Sequence, residues 1–575
     1  MQALRGDPRA LGVVYTPPQV TEPMTRIALE PLLAGRSVDE IRALRVCDPA
    51  IGEGAFLVAA VRVIAEHLVR AGLPDADAAD AAARCVHGVD VDPRAVEAAR
   101  ATLGPNDATC ANEPGGEALH GQLQVADALA LDWAAAFPAV FARGGFDAVI
   151  GNPPYVRQEH LAAHKPLLRQ FASYDGVADL YVYFVELAHR LVRPGGRYCL
   201  ITPNKWLTAA YARPLRTHLA AQRSVEGIVD LARMALFGEA DAFPCIVWGE
   251  VGTDPEAPIR AVRLDDGVPA ALHDVGAPHA RDRWRGDPWH IDAPADRALI
   301  DELERRWPAL RDTVAERPAR GVVTGYNRAF VIDRAERDRL LDAEPAAAAL
   351  IRPFIKGRDV RRWLPAAPER WILLVDRGTS LEALPRVAEH LAQFRSALEP
   401  RPPAFHGAWP GRKPGSYRWY ELQDPVGALV RTRAPRLLYQ DIQTGPACAI
   451  DRTGDLVPDT TVWLLPSSDL YLLAVLGSPL YGWYAERRFP PALNGAVRPK
   501  LEYIRKLPIA TPSDAQRAAI EARVEQRLAL EPDGRAGDPA AAERARELDA
   551  AIDEAVLDVY ELTAGERARI RAAFE

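Results

Sequence analysis

The chain reads as an α/β protein: a doubly wound, mostly parallel sheet, then a mixed α+β region and a helical C-terminal tail. Three observations lead there. From about residue 11 to 250, short apolar runs alternate with stretches long enough for helices, the pattern of parallel strands joined by crossover helices. Glycines and acidic residues collect where those runs end, the edge at which open parallel sheets bind ligands. Beyond residue 250 the strict alternation lapses.

Taken in order, RVCDPAI precedes GEGAFLVAAVRVIAEHLVRAG, a strand followed by a helix. Gly52 and Gly54 let the intervening backbone turn tightly and approach a ligand. The spacing is not GxGxxG and no Lys-Ser/Thr follows, which disfavours a phosphate cradle. CVHGVDVD precedes PRAVEAARATL; Asp90 or Asp92, at that strand's end, could accept from a ribose diol, and Asp90 is the better placed because it directly follows the strand. VADAL places Asp127 after a third apolar run, where a carboxylate can accept from an adenine amine. Each carboxylate alone could be a turn or helix cap; the ordered series points to a site. LYVYFVELAHRLV then precedes GGRYCLITP, and EGIVDLA and CIVWGEV follow.

The fourth strand, FDAVIGN, runs into Asn152-Pro153-Pro154-Tyr155. Two prolines end any strand, since neither donates to a ladder, so an amide, two fixed φ angles and a ring are held rigid at a strand's C-terminal end. Such a group suits one chemistry. The lone pair of an amino group on a heteroaromatic ring is delocalised and a poor nucleophile. An Asn oxygen and a proline-locked carbonyl accepting from that NH2 would draw it toward tetrahedral geometry and stabilise its developing charge, with Tyr155 stacking on the ring. No metal and no covalent intermediate are required, and a base treated this way must leave the duplex stack.

The bulk composition narrows the setting. At 575 residues, 48% hydrophobic, the chain has material for two to three domains. No apolar run approaches the roughly 18 residues of a membrane helix, and the first residues carry charge without an apolar core, so a cytoplasmic protein is expected. Six scattered cysteines include no CxxC pair and no Cys/His cluster, which argues against zinc ribbons and disulfide scaffolds and suits a reducing cytosol. Net charge is −8, yet residues 351–440 hold 16 Lys and Arg against 8 Asp and Glu. That net of +8 leaves −16 for the remainder. Aromatic residues sit among the basic ones in RDVRRWL and GRKPGSYRWY, a composition that suits a nucleic-acid surface.

With these motifs in order, the sequence resembles the gamma-class N6-adenine DNA methyltransferases of restriction-modification systems, the TaqI-like group and the methylase part of type IIG enzymes. GVVYTPPQVTEPM resembles that family's N-terminal cofactor motif, DPAIGEGAF its glycine-rich motif and VDVD its acidic ribose motif. VADAL resembles the adenine-contacting motif, GNPPY the catalytic motif, DLYVYFVELAHRLVRPGGRYCLITPNKWL the next two, and LFGEADAFPCIVW the aromatic motif facing the flipped base. The resemblance implies a Rossmann-like class I methyltransferase fold that binds S-adenosylmethionine. Tyr15, Thr16 and Pro17 would touch the cofactor, with Asp48, Pro49, Ala50, Gly52, Gly54 and Phe56 around its methionine end. Asp90 would hold the ribose, Asp127 and Ala128 the adenine amine, and Phe184 would pack by the adenine ring. Asn152 and Pro153 would accept from the target amine, with Pro154 completing the catalytic motif. Tyr155 would lie on one face of the base and Phe237 on the other, Phe243 competing for that place. The commoner DPACGSG has Cys and Ser where this chain has Ile51 and Glu53, but both glycines remain.

The back half resembles that family's target-recognition domain in DTVAERPARGVVTGYNRAFVIDR, IRPFIKGRDVRRWL and PALNGAVRPKLEYIRKLPIA. Candidate DNA contacts are Arg358, Arg361, Arg362, Arg412, Lys413, Arg498 and Lys500. Leu548, Ile552, Val556 and Tyr560 recur every fourth residue and predict a helix packed on that domain. The expected division is therefore a catalytic domain over 1–255, a DNA-binding domain over 256–512 and a helical segment over 513–575. The implied partner is double-stranded DNA, bound by a monomer, with any cognate nuclease or defence partner in a separate chain. An NPPY enzyme acting on RNA or on a protein glutamine amide is the alternative; a 300-residue domain behind the motifs speaks against it.

Overall fold

The computed structural model describes residues 16–103, 122–232, 234, 243–252, 257–264, 267–286, 288–314, 316–405, 407–492, 495–534 and 539–573. Tyr15, Cys110 and Phe237 lie outside them. The chain divides into two compact units, Met1–Asp296 and Arg297–Glu575.

In the first unit, Pro17 and Pro18 open helix α1 (Pro18–Leu33), where a proline's missing N–H costs nothing. Strand β1 (Val46–Asp48) leads to α2 (Ala55–Arg70), β2 (Val86–Asp90) to α3 (Pro93–Leu103), and β3 (Leu123–Val125) to β4 (Phe146–Gly151). Helix α4 (Tyr181–Leu191) precedes β5 (Val192–Pro203), and α5 (Arg213–Gln222) precedes β6 (Val225–Asp230) and β7 (Pro244–Glu250). Two further strands follow, β8 (Ile259–Arg263) and β9 (Ala277–His279). The nine form one sheet in the order β3-β2-β1-β4-β5-β7-β6-β8-β9. Pairing is parallel from β3 to β5 and between β6 and β8, and β7 runs antiparallel between β5 and β6. All six residues of β4 are buried, as a strand covered on both faces requires. One apolar cluster packs each face: Phe146, Tyr183 and Trp206 on one side, Val46, Leu57 and Ile150 on the other.

The doubly wound, mostly parallel sheet expected from the sequence is present. The division at residue 255 is not where the structure places it. β8 continues the sheet beside β6, and β9 pairs with β8, so the first unit runs to Asp296.

The second unit is mixed α+β. Strands β10 (Ala319–Arg320), β11 (Val331–Ile332), β12 (Ile351–Ile355), β13 (Arg370–Leu373), β14 (Arg436–Gln440), β15 (Cys448–Asp451), β16 (Val457–Pro458) and β17 (Val462–Leu465) form two four-stranded sheets, ordered β10-β17-β14-β15 and β11-β13-β12-β16. Helices α6 (Asp514–Gly534), α7 (Pro539–Val559) and α8 (Ala564–Arg571) close the chain. The fourfold spacing falls on one face of α7 and its C-terminal end. Leu548, Ile552, Val556 and Tyr560 are all buried, the last three against Leu437, Trp483 and Leu507 in the unit's own core. The helical tail is thus part of the second unit.

Candidate active site

The C-terminal ends of β1, β2, β3 and β4 meet around a cavity of about 440 Å³, within the size range of small-molecule sites. Its walls include Thr16, Asp48, Pro49, Ala50, Gly52, Phe56, Asp90, Asp127, Ala128, Asn152, Pro154 and Phe184. Residues drawn from six separated motifs therefore share one space.

The glycine-rich turn is built by backbone geometry. Gly52 and Gly54 have φ of +50° and +88°, conformations that disfavour side chains, and Gly54 sits at the head of α2. The turn is tied to its neighbours by carboxylates. Asp48 Oδ1 accepts from the Ala50 N–H at 3.0 Å. Asp90 accepts from Gly52 N–H at 3.0 Å and from Asp92 N–H at 2.9 Å. Asp92 instead pairs with Arg94 at 2.9 Å. Of the two acidic candidates at this strand end, Asp90 is the one locked to the glycine turn. Asp127 accepts from Leu129 N–H and keeps its place in the wall.

Asp48 is almost wholly buried, and burial pushes its carboxyl up to about 7, with Ala50 N–H opposing and the neighbouring Asp90 adding to the rise. Asp90 is raised for the same main reason, against the N–H groups of Asp92 and Gly52. Two carboxylates strained toward neutrality in a cavity whose wall also carries Phe56, Val156, Leu161, Leu180 and Phe184 complement a cationic, partly aromatic ligand, since a nearby positive charge relieves both. S-adenosylmethionine, with its sulfonium, ammonium and adenine, fits that donor set. A dinucleotide phosphate fits less well: Arg94, the one arginine or lysine in the wall among the described residues, is already paired with Asp92.

The Asn152-Pro153-Pro154-Tyr155 stretch abuts this wall through Gly151. A Cβ there would stand 2.5 Å from Asp48 Oδ1, so only glycine lets the last residue of β4 pass the buried carboxylate. Asn152 follows, and its Nδ2 donates to Thr16 Oγ1 at 3.0 Å. The exit loop is pinned by Leu180 N–H to Val156 O at 3.0 Å and Gln158 N–H to Asp179 Oδ1 at 2.9 Å. Tyr155 meets Tyr181 edge to face, centroids 6.4 Å apart. Its hydroxyl is buried with no hydrogen-bond partner among the described residues, and burial raises it well above the ordinary phenol range. Phe243, at the foot of β7, has its carbonyl held by Asn204 N–H at 2.6 Å, and Asn204 in turn donates to Asp230. Leu161 and His164, just past the Asn-Pro-Pro-Tyr loop, also line the cavity. No motif flags them; they arrive there because the loop after Tyr155 folds back on α4.

The basic candidates separate by burial. Arg358, Arg361, Lys413 and Lys500 are exposed and Arg498 half-buried. Two others are withdrawn as DNA contacts. Arg412 is 4% exposed, and its guanidinium donates to the carbonyls of Leu398, Thr324, Glu421 and Trp419. Arg362 grips Asp553 with both nitrogens and lies over Trp363. Trp363 itself is fully buried at φ +79°, its indole N–H on Asp549. One of the three arginines of RDVRRWL, with the tryptophan beside it, is thus packing rather than free charge.

A family model described as Eco57I restriction-modification methylase matches residues 84–237. The chain is 26% identical to "Type II methyltransferase M.PaeR7I" of Pseudomonas aeruginosa over 91% of each chain. It is 23% identical to "Type II methyltransferase M.BstVI" of Geobacillus stearothermophilus, covering 90% of this chain and 93% of that one. Among solved structures, the type IIL restriction-modification enzyme MmeI, determined in complex with DNA, shares the fold with a TM-score of 0.65 at 15% identity, over 99% of this chain and 79% of that one. With that match over residues 84–237, these relatives and the cavity at its strand ends, the chain is similar to the Eco57I-like restriction-modification methylases.

Proposed function

We propose that this protein is a DNA methyltransferase that moves the methyl group of S-adenosylmethionine to N6 of an adenine turned out of a short duplex sequence. The observation that carries this is the junction at Gly151. The backbone leading to Asn152 runs against the Asp48 carboxylate of the cofactor cavity, so the amide stands beside the methyl donor's binding site.

The bound cofactor supplies an electrophilic methyl group. The chain's residues do the rest. Asp48 and Asp90 hold the cationic and ribose portions, and Phe184 and Phe56 give the cavity its apolar wall. Asn152 Oδ1 and the Pro153 carbonyl accept from the target amine, raising its nucleophilicity and stabilising the charge that grows on nitrogen. Tyr155 and a second aromatic residue, Phe237 or Phe243, sandwich the base, which must leave the stack to be reached. The second unit, basic over 351–440, supports duplex binding through Arg358, Arg361, Lys413, Arg498 and Lys500. Modification of this kind protects a site from a nuclease carried on another chain.

The test is incubation with S-adenosylmethionine and unmethylated plasmid, digestion to nucleosides and mass spectrometry. N6-methyladenine is expected, and is expected to vanish with Asn152→Ala while calorimetric cofactor binding stays within a few-fold. N4-methylcytosine would overturn the base assignment, and a fully active Asn152→Ala would overturn the catalytic one.

A further inference from the structure

A carboxamide is chemically two-faced. Rotated by half a turn, it presents two N–H donors where it had presented an acceptor, with almost no change of shape. The proposed reaction works in one orientation only. Asn152 Oδ1 toward the target amine accepts from it; Nδ2 in that place would set donor against donor and leave the amine's lone pair unassisted. Something in the site has to choose.

Among the described residues, Thr16 is a partner for that choice. Asn152 Nδ2 donates to Thr16 Oγ1 at 3.0 Å. Thr16 is 4% exposed, directly precedes the Pro17-Pro18 start of α1, and lines the cofactor cavity alongside Asp48 and Ala50. A threonine hydroxyl can take either role, accepting through a lone pair or donating its single hydrogen, so Thr16 alone fixes the amide only if that hydrogen is committed elsewhere. The cavity into which Thr16 faces is where such an acceptor would come from. S-adenosylmethionine carries acceptors at its carboxylate and ribose.

We infer that Thr16 is a positioning residue for Asn152. Its hydroxyl hydrogen goes to an acceptor of the bound cofactor, its lone pair then receives Asn152 Nδ2, and the amide oxygen is thereby turned to the target amine. Cofactor occupancy and readiness of the catalytic amide are coupled through one hydroxyl. This rests on the function proposed above and assigns Thr16 a task beyond touching the cofactor. No bond to carbon is made or broken in it; two hydrogen bonds are ordered in series.

The test uses the full-length protein and, once the methylated site has been mapped, a duplex carrying that site with either adenine or purine, which lacks the 6-amino group, at the target position. The variants are Thr16→Val, which keeps the shape and loses the hydroxyl, and Thr16→Ser, which keeps the hydroxyl. In the wild type with a non-reactive cofactor analogue bound, the amide-to-amine hydrogen bond favours adenine over purine, by about tenfold for a bond of ordinary strength. Thr16→Val is expected to lower that preference several-fold, and single-turnover methylation by about a hundredfold or more, while cofactor affinity changes by less than about fivefold. Thr16→Ser is expected to restore both. Differences in pairing and stacking between purine and adenine are common to all three proteins and cancel in the comparison.

A Thr16→Val enzyme with the wild-type rate and the wild-type adenine preference overturns the inference. So does one whose rate falls only in proportion to lost cofactor affinity, since Thr16 would then be a cofactor ligand alone. A Thr16→Val protein that fails to fold leaves the decision to Thr16→Ser against Thr16→Ala, read by the same ratio. If the wild type makes no methylated base, the functional reading has failed; if it does and Thr16→Val matches it, only this inference has.

Discussion

Arg412 is expected to hold the second unit together, and its replacement by methionine measures how much. Three of the carbonyls it serves, on Leu398, Thr324 and Glu421, are reached at 2.8–2.9 Å in buried surroundings, and Tyr417 lies 4.5 Å beneath the guanidinium. Stripping partners from three buried carbonyls costs about 3–9 kcal/mol at 1–3 kcal/mol each. Against this, methionine need not be desolvated as a cation. Burial lowers the Arg412 pKa from 12.5 to about 10, a penalty of about 3 kcal/mol at 1.36 kcal/mol per unit. The folded value lies below the unfolded one but well above neutrality, so this cost is constant near pH 7. The carbonyls win. The net loss is about 0–6 kcal/mol, centred on about 3 kcal/mol, which corresponds to roughly 6–12 °C in the midpoint of the transition that reports the second unit. The assay is differential scanning calorimetry of wild type, Arg412→Met and an exposed control, Arg361→Met, which should melt like the wild type. An Arg412→Met protein melting within a degree of wild type while losing DNA affinity would refute the structural role and return Arg412 to the DNA surface.

Asp48 predicts a pH dependence. Its carboxyl is raised to about 7 without ligand, so the charged form that pairs with a cationic ligand prevails above pH 7. Cofactor affinity by calorimetry should weaken about eightfold from pH 7.5 to 6, and a flat wild-type profile would exclude this carboxylate from the site. The sign for stability is opposite. A carboxyl raised from 3.8 costs the cofactor-free fold as pH climbs from about 4 to 7, so Asp48→Asn should bind cofactor poorly yet denature at higher urea than wild type at pH 8. Gly151→Ala pushes a methyl group against the Asp48 carboxylate; it should weaken cofactor binding and slow methylation together, and separation of the two would uncouple β1 from β4. For the exposed pair, Arg358→Ala with Arg361→Ala should flatten the slope of log affinity against log salt by nearly 2, and an unchanged slope would remove both from the DNA surface.

The strand ends were the legible part. Asp48, Asp90, Asp127 and Asn152 sit at the C-terminal ends of successive runs, and a parallel sheet has no choice but to bring such ends to one edge. The direction of β7 was not legible, because a fully buried run reads the same whether its neighbours are parallel or antiparallel. Nor was the extension by β8 and β9, where short runs after Glu250 look like the start of something new. Among the arginines, charge was visible and partners were not. Arg358 and Arg412 belong to the same basic stretch, yet one is exposed and the other is a scaffold bolt for four carbonyls. Leu161 and His164 carry no spacing signal, since a loop reaches its wall position by tertiary folding alone.

The added strands also dictate where this chain can be cut and rejoined. β8 lies along β6 from Gly227 to Asp230, and Arg263 covers the buried Asp230 carboxylate at 2.9 Å. A fragment or chimera ended at residue 255 would strip β6 of that neighbour, leave Asp230 without its guanidinium and turn an interior strand into a sticky edge that invites pairing between copies. The seam for exchanging back halves falls past β9 and ahead of the helix Pro294–Arg306, whose Leu299, Ile300 and Leu303 pack in the second unit's core, so a transplanted back half should carry nothing of the sheet with it.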